Sequence, residues 1–271
     1  MITAHVLVKN EENFIWYSVM SVIEHIDSVM IWDTGSTDKT LEIIKEIIRR
    51  YPKKVSFKEI GEVDENQYSK IRQAMFDETK SDWFFILDGD EIWWESSLKK
   101  IINKINLNKN NIESIVVPTI NLIGDMYHYQ EKKAGKYNFG NKKGHYALRF
   151  INKNIPGLHV NSPYGKEGYF DDKNQPIQNR SENKILFMDA PYIHTTHLVR
   201  SSEDHSVMQR IKKIKHEIGI KFTNDFYYPE VFFKEKPSII PNIWNKMNFK
   251  FWLQAFFETP IRKIKRRIRQ K

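Results

Sequence analysis

Trp83-Phe84-Phe85-Ile86-Leu87-Asp88-Gly89-Asp90-Glu91 is a run of apolar residues that passes directly into two carboxylates one residue apart. A short apolar run bounded by a turn signal fits a strand buried on both faces, as in a parallel sheet. Its polar end then falls where open parallel sheets bind ligands, at the carboxyl edge. The same texture recurs upstream. His5–Val8 reads as a strand ending in Asn10-Glu11-Glu12, Phe14–Ile26 as an apolar-faced helix, and Ser28–Trp32 as a strand ending at Asp33. Thr34-Gly35-Ser36-Thr37-Asp38 turns into a helix over Lys39–Arg50, where Leu41, Ile44 and Ile48 repeat at helical spacing. Val55–Ile60, Tyr68–Glu78, Leu98–Ile105 and Ser114–Ile120 extend the alternation as strand, helix, helix and strand, with Trp83–Leu87 between the two helices. Such alternation implies right-handed crossovers, and so an α/β fold with a mostly parallel sheet and helices on both faces.

After Leu122 glycine, asparagine, lysine and tyrosine become frequent and the expected strands are short (Tyr146–Asn152, Ile185–Met188), with a helix predicted over Ser202–Ile218. We divide the chain into 1–121, 122–225 and a C-terminal tail, 226–271. With 271 residues, 40% of them hydrophobic, the chain can bury a large core, which excludes a disordered protein. It has no cysteine, which excludes disulfides, thiolate metal sites and a cysteine nucleophile. No apolar run approaches the roughly 20 residues that span a bilayer, and Ala4–Val8 lies too close to Met1 for a signal peptide. The expectation is a cytoplasmic protein, soluble or peripheral on the inner face of the cell membrane.

Asp88 and Asp90 can hold a hard divalent cation through oxygen; a solvated turn is the alternative. A nucleoside diphosphate needs a cation there. At an effective dielectric near 20, each carboxylate–phosphate pair about 4 Å apart costs about 4 kcal/mol, and a bridging Mn²⁺ or Mg²⁺ turns that repulsion into a clamp. Asp33 can accept hydrogen bonds from a base or ribose, and Gly35 permits close backbone approach; an ordinary N-cap turn is the alternative.

These segments together resemble glycosyltransferase family 2 with its GT-A nucleotide-sugar fold. The family has an Asn-Glu pair after the first strand, Asp-x-Gly-Ser-Thr-Asp after the second and a metal-binding Asp-x-Asp after the fourth. Asn10-Glu11, Asp33 to Asp38 and Asp88-Gly89-Asp90 match in order over about the first 120 residues. The resemblance implies that Asn10, Glu11, Asp33 and Arg72 contact the nucleoside of a nucleotide-sugar donor, while Asp88 and Asp90 serve the diphosphate and its metal. It implies an inverting transferase whose second half forms the acceptor side. There the match is looser, through Leu148-Arg149-Phe150-Ile151-Asn152, Gly165-Lys166-Glu167 and Ile193-His194. Lys166 stands where the family has histidine. Glu167 is the expected catalytic base, with Asp171 and Asp172 as rivals, and His194 the expected further metal ligand, with His197 as rival; an imidazole favours Mn²⁺ over Mg²⁺. The acceptor is expected to be a cell-surface glycan or a lipid-linked precursor.

The net charge of +9 is concentrated at the end of the chain, where Arg262, Lys263, Lys265, Arg266, Arg267, Arg269 and Lys271 follow Ile261 without an acid. Thr259-Pro260 predicts a helix start, with Ile261, Ile264 and Ile268 on one face; Trp244, Met247, Phe251, Trp252, Ala255 and Phe256 form an aromatic helical stripe upstream. An apolar stripe with a basic flank suits an anionic membrane surface. The charge sits in a tail without a recognition module, which argues against nucleic acid as partner. A dehalogenase-type phosphatase would continue Asp-x-Asp as Gly-Thr, and a sugar nucleotidyltransferase would need a glycine-rich, arginine-bearing loop after the first strand. Neither is present.

Overall fold

The computed structural model describes residues 1–107, 111–139, 142–162, 168–207 and 209–269. β1 (Ile2–Val8), α1 (Ile15–Val22), β2 (Ser28–Asp33), α2 (Thr40–Arg50), β3 (Val55–Glu59), α3 (Gln67–Glu78) and β4 (Trp83–Ile86) follow one another along the chain. All four strands are parallel, with β1 between β2 and β4 and β3 outside β2. Side chains alternate across this sheet with a period of two. Ala4, Val6, Val8, Val29 and Ile31 pack into the main core with Ile15 and Val19 of α1 and Ile43, Ile44 and Ile47 of α2. Leu7, Met30 and Trp32 point the other way, onto Met75 of α3. Helices therefore cover both faces, and the carboxyl ends of β1, β2 and β4 form one polar edge.

The second half grows onto this sheet. β5 (Glu91–Trp93) and α4 (Glu95–Leu107) lead to the ten-residue β6 (Ser114–Ile123), followed by β7 (Asp125–Tyr129) and the small hairpin of β8 (Tyr137–Phe139) and β9 (Lys142–Gly144). β10 (Tyr146–Asn152) inserts antiparallel between β4 and β6. β11 (His159–Asn161) and β12 (Gly168–Phe170) pair with each other, while β13 (Ile185–Phe187) and β14 (Tyr192–His197) add to the free edge of β6 in parallel. Stacking of Phe85 on Phe150 (centroids 4.3 Å apart) and of Trp93 on Tyr192 (4.5 Å) welds β4, β5, β10 and β14 together. The anticipated division at residue 121 falls inside β6.

Two helix expectations are corrected. Among the described residues of Ser202–Ile218, only α5 (Arg210–Lys213) is α-helical, preceded by a 3-10 turn over Asp204–Ser206. Ser201 and Asp204 bond the backbone amides of Glu203 and Arg200, giving the chain local alternatives to a helix, and Gln209 takes a left-handed φ of +57°. After β15 (Ile220–Lys221), α6 spans Phe249–Arg269 without a break, instead of starting at Thr259-Pro260. Asn248 supplies its cap, with Oδ1 accepting the Phe251 amide at 2.8 Å. Trp244 and Met247 precede the helix. Pro260 is accommodated within it, and the Thr259 hydroxyl donates to the Ala255 carbonyl. No helix among the described residues is long and apolar enough to cross a membrane.

Candidate active site

Two cavities open along the polar edge of the sheet. One, of about 500 Å³, is walled by Lys9, Glu11, Asp64, Tyr68, Asp90, Arg200, Arg210 and Lys213. The other, of about 530 Å³, lies on the side of the second half and is lined by Asn121, His145 and Arg149 and by Tyr137, Tyr146, Tyr169 and Tyr192. Arg72, Asp88 and His194 line both, so the cavities meet at these three side chains.

The first cavity owes its shape to β1 and to the Asp-Gly-Asp turn. Glu11 is buried, and its Oε1 lies 3.0 Å from Arg200 Nη1 and 2.6 Å from Arg210 Nη2. Burial pushes its carboxyl up to about 7 against the pull of the two arginines. A Cβ at Gly89 would sit 2.9 Å from Glu11 Cγ, so this glycine is what lets the turn close over Glu11. Arg72 reaches from α3 to Asp88 Oδ1 at 3.4 Å, while Arg149 of β10 holds Asp88 Oδ2 at 3.2 Å and also grips Glu91. Glu91 is fully buried and accepts a second bond, of 2.8 Å, from the Tyr192 hydroxyl; burial pushes its carboxyl up to about 7. Asp90 Oδ2 is 2.6 Å from Arg200 Nη1 and 3.3 Å from His194 Nε2. Burial alone would raise the Asp90 carboxyl, but Arg200 and His194 hold it well below the usual carboxylate range. Four arginines thus interleave with four acids across the floor.

The sequence profile described as "Glycosyl transferase family 2" matches residues 3–166. The chain belongs to this family. No curated protein matches it. Among solved structures it is similar to S. aureus TarS (14% identity, 72% of this chain and 37% of that one, TM-score 0.43) and to residues 1–349 of TarS in complex with UDP-GlcNAc (15%, 73% and 59%, 0.45). It is also similar to glucosyl-3-phosphoglycerate synthase from Mycobacterium tuberculosis in complex with Mn²⁺, UDP-glucose and phosphoglyceric acid (14%, 79% and 78%, 0.46). The chain spans little more than a third of the full TarS chain, and at these scores no ligand or residue role is carried across.

Within this family 2 chain, Glu11, Arg72, Asp88, Asp90 and His194 come together at the two cavities. Asn10 and Asp33 stand behind the cleft wall instead. Asn10 is buried and staples two loops, its Oδ1 accepting the Thr37 amide at 2.7 Å and its Nδ2 donating to Ser206 Oγ at 2.9 Å. Asp33 Oδ1 accepts the amides of Gly35 and Ser36, both at 2.9 Å, and Oδ2 accepts the Ser36 hydroxyl. Neither residue lines either cavity. Glu167 lies outside the described residues. Its rival Asp171 is buried and bonds Arg180 Nη1 at 2.6 Å and the amides of Lys173 and Gln175, which makes it a turn-former; Asp172 lines neither cavity. His197 turns from the metal position, its Nδ1 donating to the Lys213 carbonyl at 2.7 Å.

The donor set fits a divalent cation at Asp90 and His194. Two ligand atoms about 2.1 Å from one octahedral cation sit about 3 Å apart, close to the Oδ2–Nε2 separation. Among the described residues, no three His, Asp or Glu side chains converge where a metal ion could sit. Each oxygen of Asp88 faces an arginine, Arg72 at 3.4 Å and Arg149 at 3.2 Å, just as Oδ2 of Asp90 faces Arg200 at 2.6 Å, so a cation at either carboxylate would share it with a guanidinium.

The reading of the sequence missed Arg200, Arg210, Lys213 and Tyr192. Arg200 and Arg210 carry no local signal; Arg210 meets Glu11 across 199 positions of chain. Arg149 had one, a guanidinium inside the apolar strand Leu148–Asn152, but no role was drawn from it.

Proposed function

We propose that the chain transfers a sugar from a nucleotide-sugar donor to an acceptor hydroxyl, with inversion and with Mn²⁺ or Mg²⁺. One observation carries this reading: a cation-rich cleft built on the family's strand-end motifs abuts a tyrosine-lined cavity of similar size, and Arg72, Asp88 and His194 face both. Aromatic faces suit the apolar face of a sugar ring, and arginines suit phosphate oxygens.

Arg200 and Arg210, fixed by Glu11, present positive charge to the diphosphate without reorganising during the reaction. Asp88, Asp90 and His194 are the residues that would hold the cation, which when bound neutralises the leaving diphosphate. Glu167 takes the proton of the acceptor hydroxyl, and a single in-line displacement inverts the sugar carbon. Residues 1–121 carry the strand-end motifs of the donor side, 122–225 form the acceptor side and also lend His194, Arg200 and Arg210 to the donor cleft, and 226–271 carry the surface helix.

The acceptor in this reading is a cell-surface glycan or a lipid-linked precursor, met at the inner face of the cell membrane. The support is the outer side of α6. Phe249, Leu253, Phe256, Phe257, Ile264 and Ile268 are all at least 42% exposed, opposite the side of the helix that carries buried Ala255 and Thr259. Lys250, Lys263, Lys265 and Arg267 flank them in solvent, the pattern of a helix lying in an anionic surface.

The test is thermal stability with a panel of nucleoside diphosphates, with and without Mn²⁺. A ligand at 100 times its Kd stabilises the folded state by about 2.7 kcal/mol. Stabilisation should require the metal in the wild type, and Asp90→Asn should abolish that metal-dependent stabilisation while leaving the fold intact. Equal stabilisation of the wild type in EDTA would overturn the metal-assisted reading.

A further inference from the structure

The inner side of α6 is bonded to one short segment, Lys215–Ile218. Arg266 Nη1 lies 2.7 Å from Oε1 of the buried Glu217, its Nη2 takes the other oxygen, and Nη1 also reaches Glu131 Oε1 at 2.9 Å. Arg262 Nε donates to the His216 carbonyl at 3.2 Å, and the Ile218 amide donates to Thr259 Oγ1 at 2.8 Å. One residue upstream, Lys215 Nζ lies 3.1 Å from His197 Nε2, and the same imidazole donates through Nδ1 to the Lys213 carbonyl. Burial pushes the His197 ring down to about 3, so it is neutral and its Nε2 is free to accept from Lys215. Lys213 itself lines the donor cleft and is the last residue of α5, whose first residue is the Arg210 that grips Glu11.

Charge distinguishes Lys213 from its neighbours in that cleft. Arg72, Arg200 and Arg210 are matched by Asp88, Asp90 and Glu11, and Lys9 by Glu62 at 3.1 Å. Among the described residues, no carboxylate forms an ion pair with Lys213, although its charge acts on Asp90. An exposed ammonium beside the cation position, with no acid of its own, suits an incoming polyanion.

We propose that Lys213 binds the diphosphate of the donor, and that Arg266 and Glu217 are positioning residues which hold it in the cleft through the Lys215–Ile218 segment. The proposal rests on the cleft being a nucleoside-diphosphate site. It makes α6 part of the donor-binding machinery, where the sequence pattern alone shows only a basic tail.

The test is calorimetric titration of the full chain with UDP, GDP, ADP, CDP and dTDP, each with Mn²⁺. For whichever the wild type binds, Lys213→Ala and Arg266→Gln should each weaken binding about tenfold, the loss of one charge-assisted contact. Arg266→Lys should recover part of the loss. The double variant should be no weaker than Lys213→Ala alone, because Arg266 acts through Lys213; a merely structural loss would add to it. Binding by the wild type with unchanged affinity in Lys213→Ala overturns this proposal and leaves the donor reading standing. Additive losses overturn the positioning role of Arg266. Binding of none of the five by the wild type overturns both readings.

Discussion

Replacing Glu11 by glutamine isolates the electrostatics of the donor cleft. The carboxyl is buried between Arg200 and Arg210, yet burial still pushes it up to about 7 from an ordinary 4.5. An acid whose folded-state pKa is raised holds its proton more tightly in the folded chain. Its contribution to stability is therefore fully present below pH 4.5 and is lost as pH rises through 7. A shift of this size is worth about 3 kcal/mol, most of it falling between pH 5 and pH 8. Glutamine keeps the shape and has no proton to lose. Glu91 has the same shift, and His5 and His197, both held near 3, act in the opposite sense, losing stability as pH falls below 6.5. The wild-type profile alone is thus a mixture, and the informative quantity is the difference between the two proteins. In urea titrations followed by tryptophan fluorescence at pH 5, 6, 7 and 8, Glu11→Gln should gain on the wild type by roughly 2–3 kcal/mol across the range. A difference that does not change with pH, or that moves against the variant, would refute the argument and mean that the two arginines outweigh burial.

Arg149→Met removes the counter-charge of the fully buried Glu91, and should destabilise the chain by about 3–5 kcal/mol at pH 8 but less at pH 5, where Glu91 is protonated; urea titration at both values reads this. Glu167→Gln should leave donor affinity intact while transfer falls by roughly 10²–10⁴-fold in a steady-state assay. Ser at Phe256 and Ile264 should reduce flotation with anionic vesicles without altering net charge, and retained flotation would show a tether of charge alone.

The parallel half of the fold was legible because its two signals are local. Period-two and helical spacing mark each element, and Asp88-Gly89-Asp90 marks the strand end. The second half was less so. Its strands β8, β9, β11 and β12 have three residues each, too short for a period to register. The site divides in the same way. Glu11, Asp88 and Asp90 announce themselves by following apolar strands, whereas Arg200 and Arg210 acquire their roles only when the fold brings them to Glu11. Asp33 shows the converse. Its motif is plain in the sequence, but whether its oxygens face a ligand or their own turn depends on backbone geometry that spacing does not specify. Thr259-Pro260 misled because proline is favoured at the start of a helix, and the stronger start was Asn248, eleven residues earlier.

β6 carries β10 on one edge and β13 and β14 on the other, and it runs across the position where the composition changes. This bears on how such transferases can be recombined. A chimaera joined after residue 121 would sever β6 two residues before its end and pair His194 of one parent with its register partner, Asn121, of the other. β10, although it comes later in the chain, lies between β4 and β6, so the amino-terminal segment alone would expose an unpaired edge of β4. The second half is therefore not a cassette that can be exchanged by cutting there. The smallest transplantable pieces are the loops between paired strands, and any exchange must keep β6, β10 and β14 from the same parent.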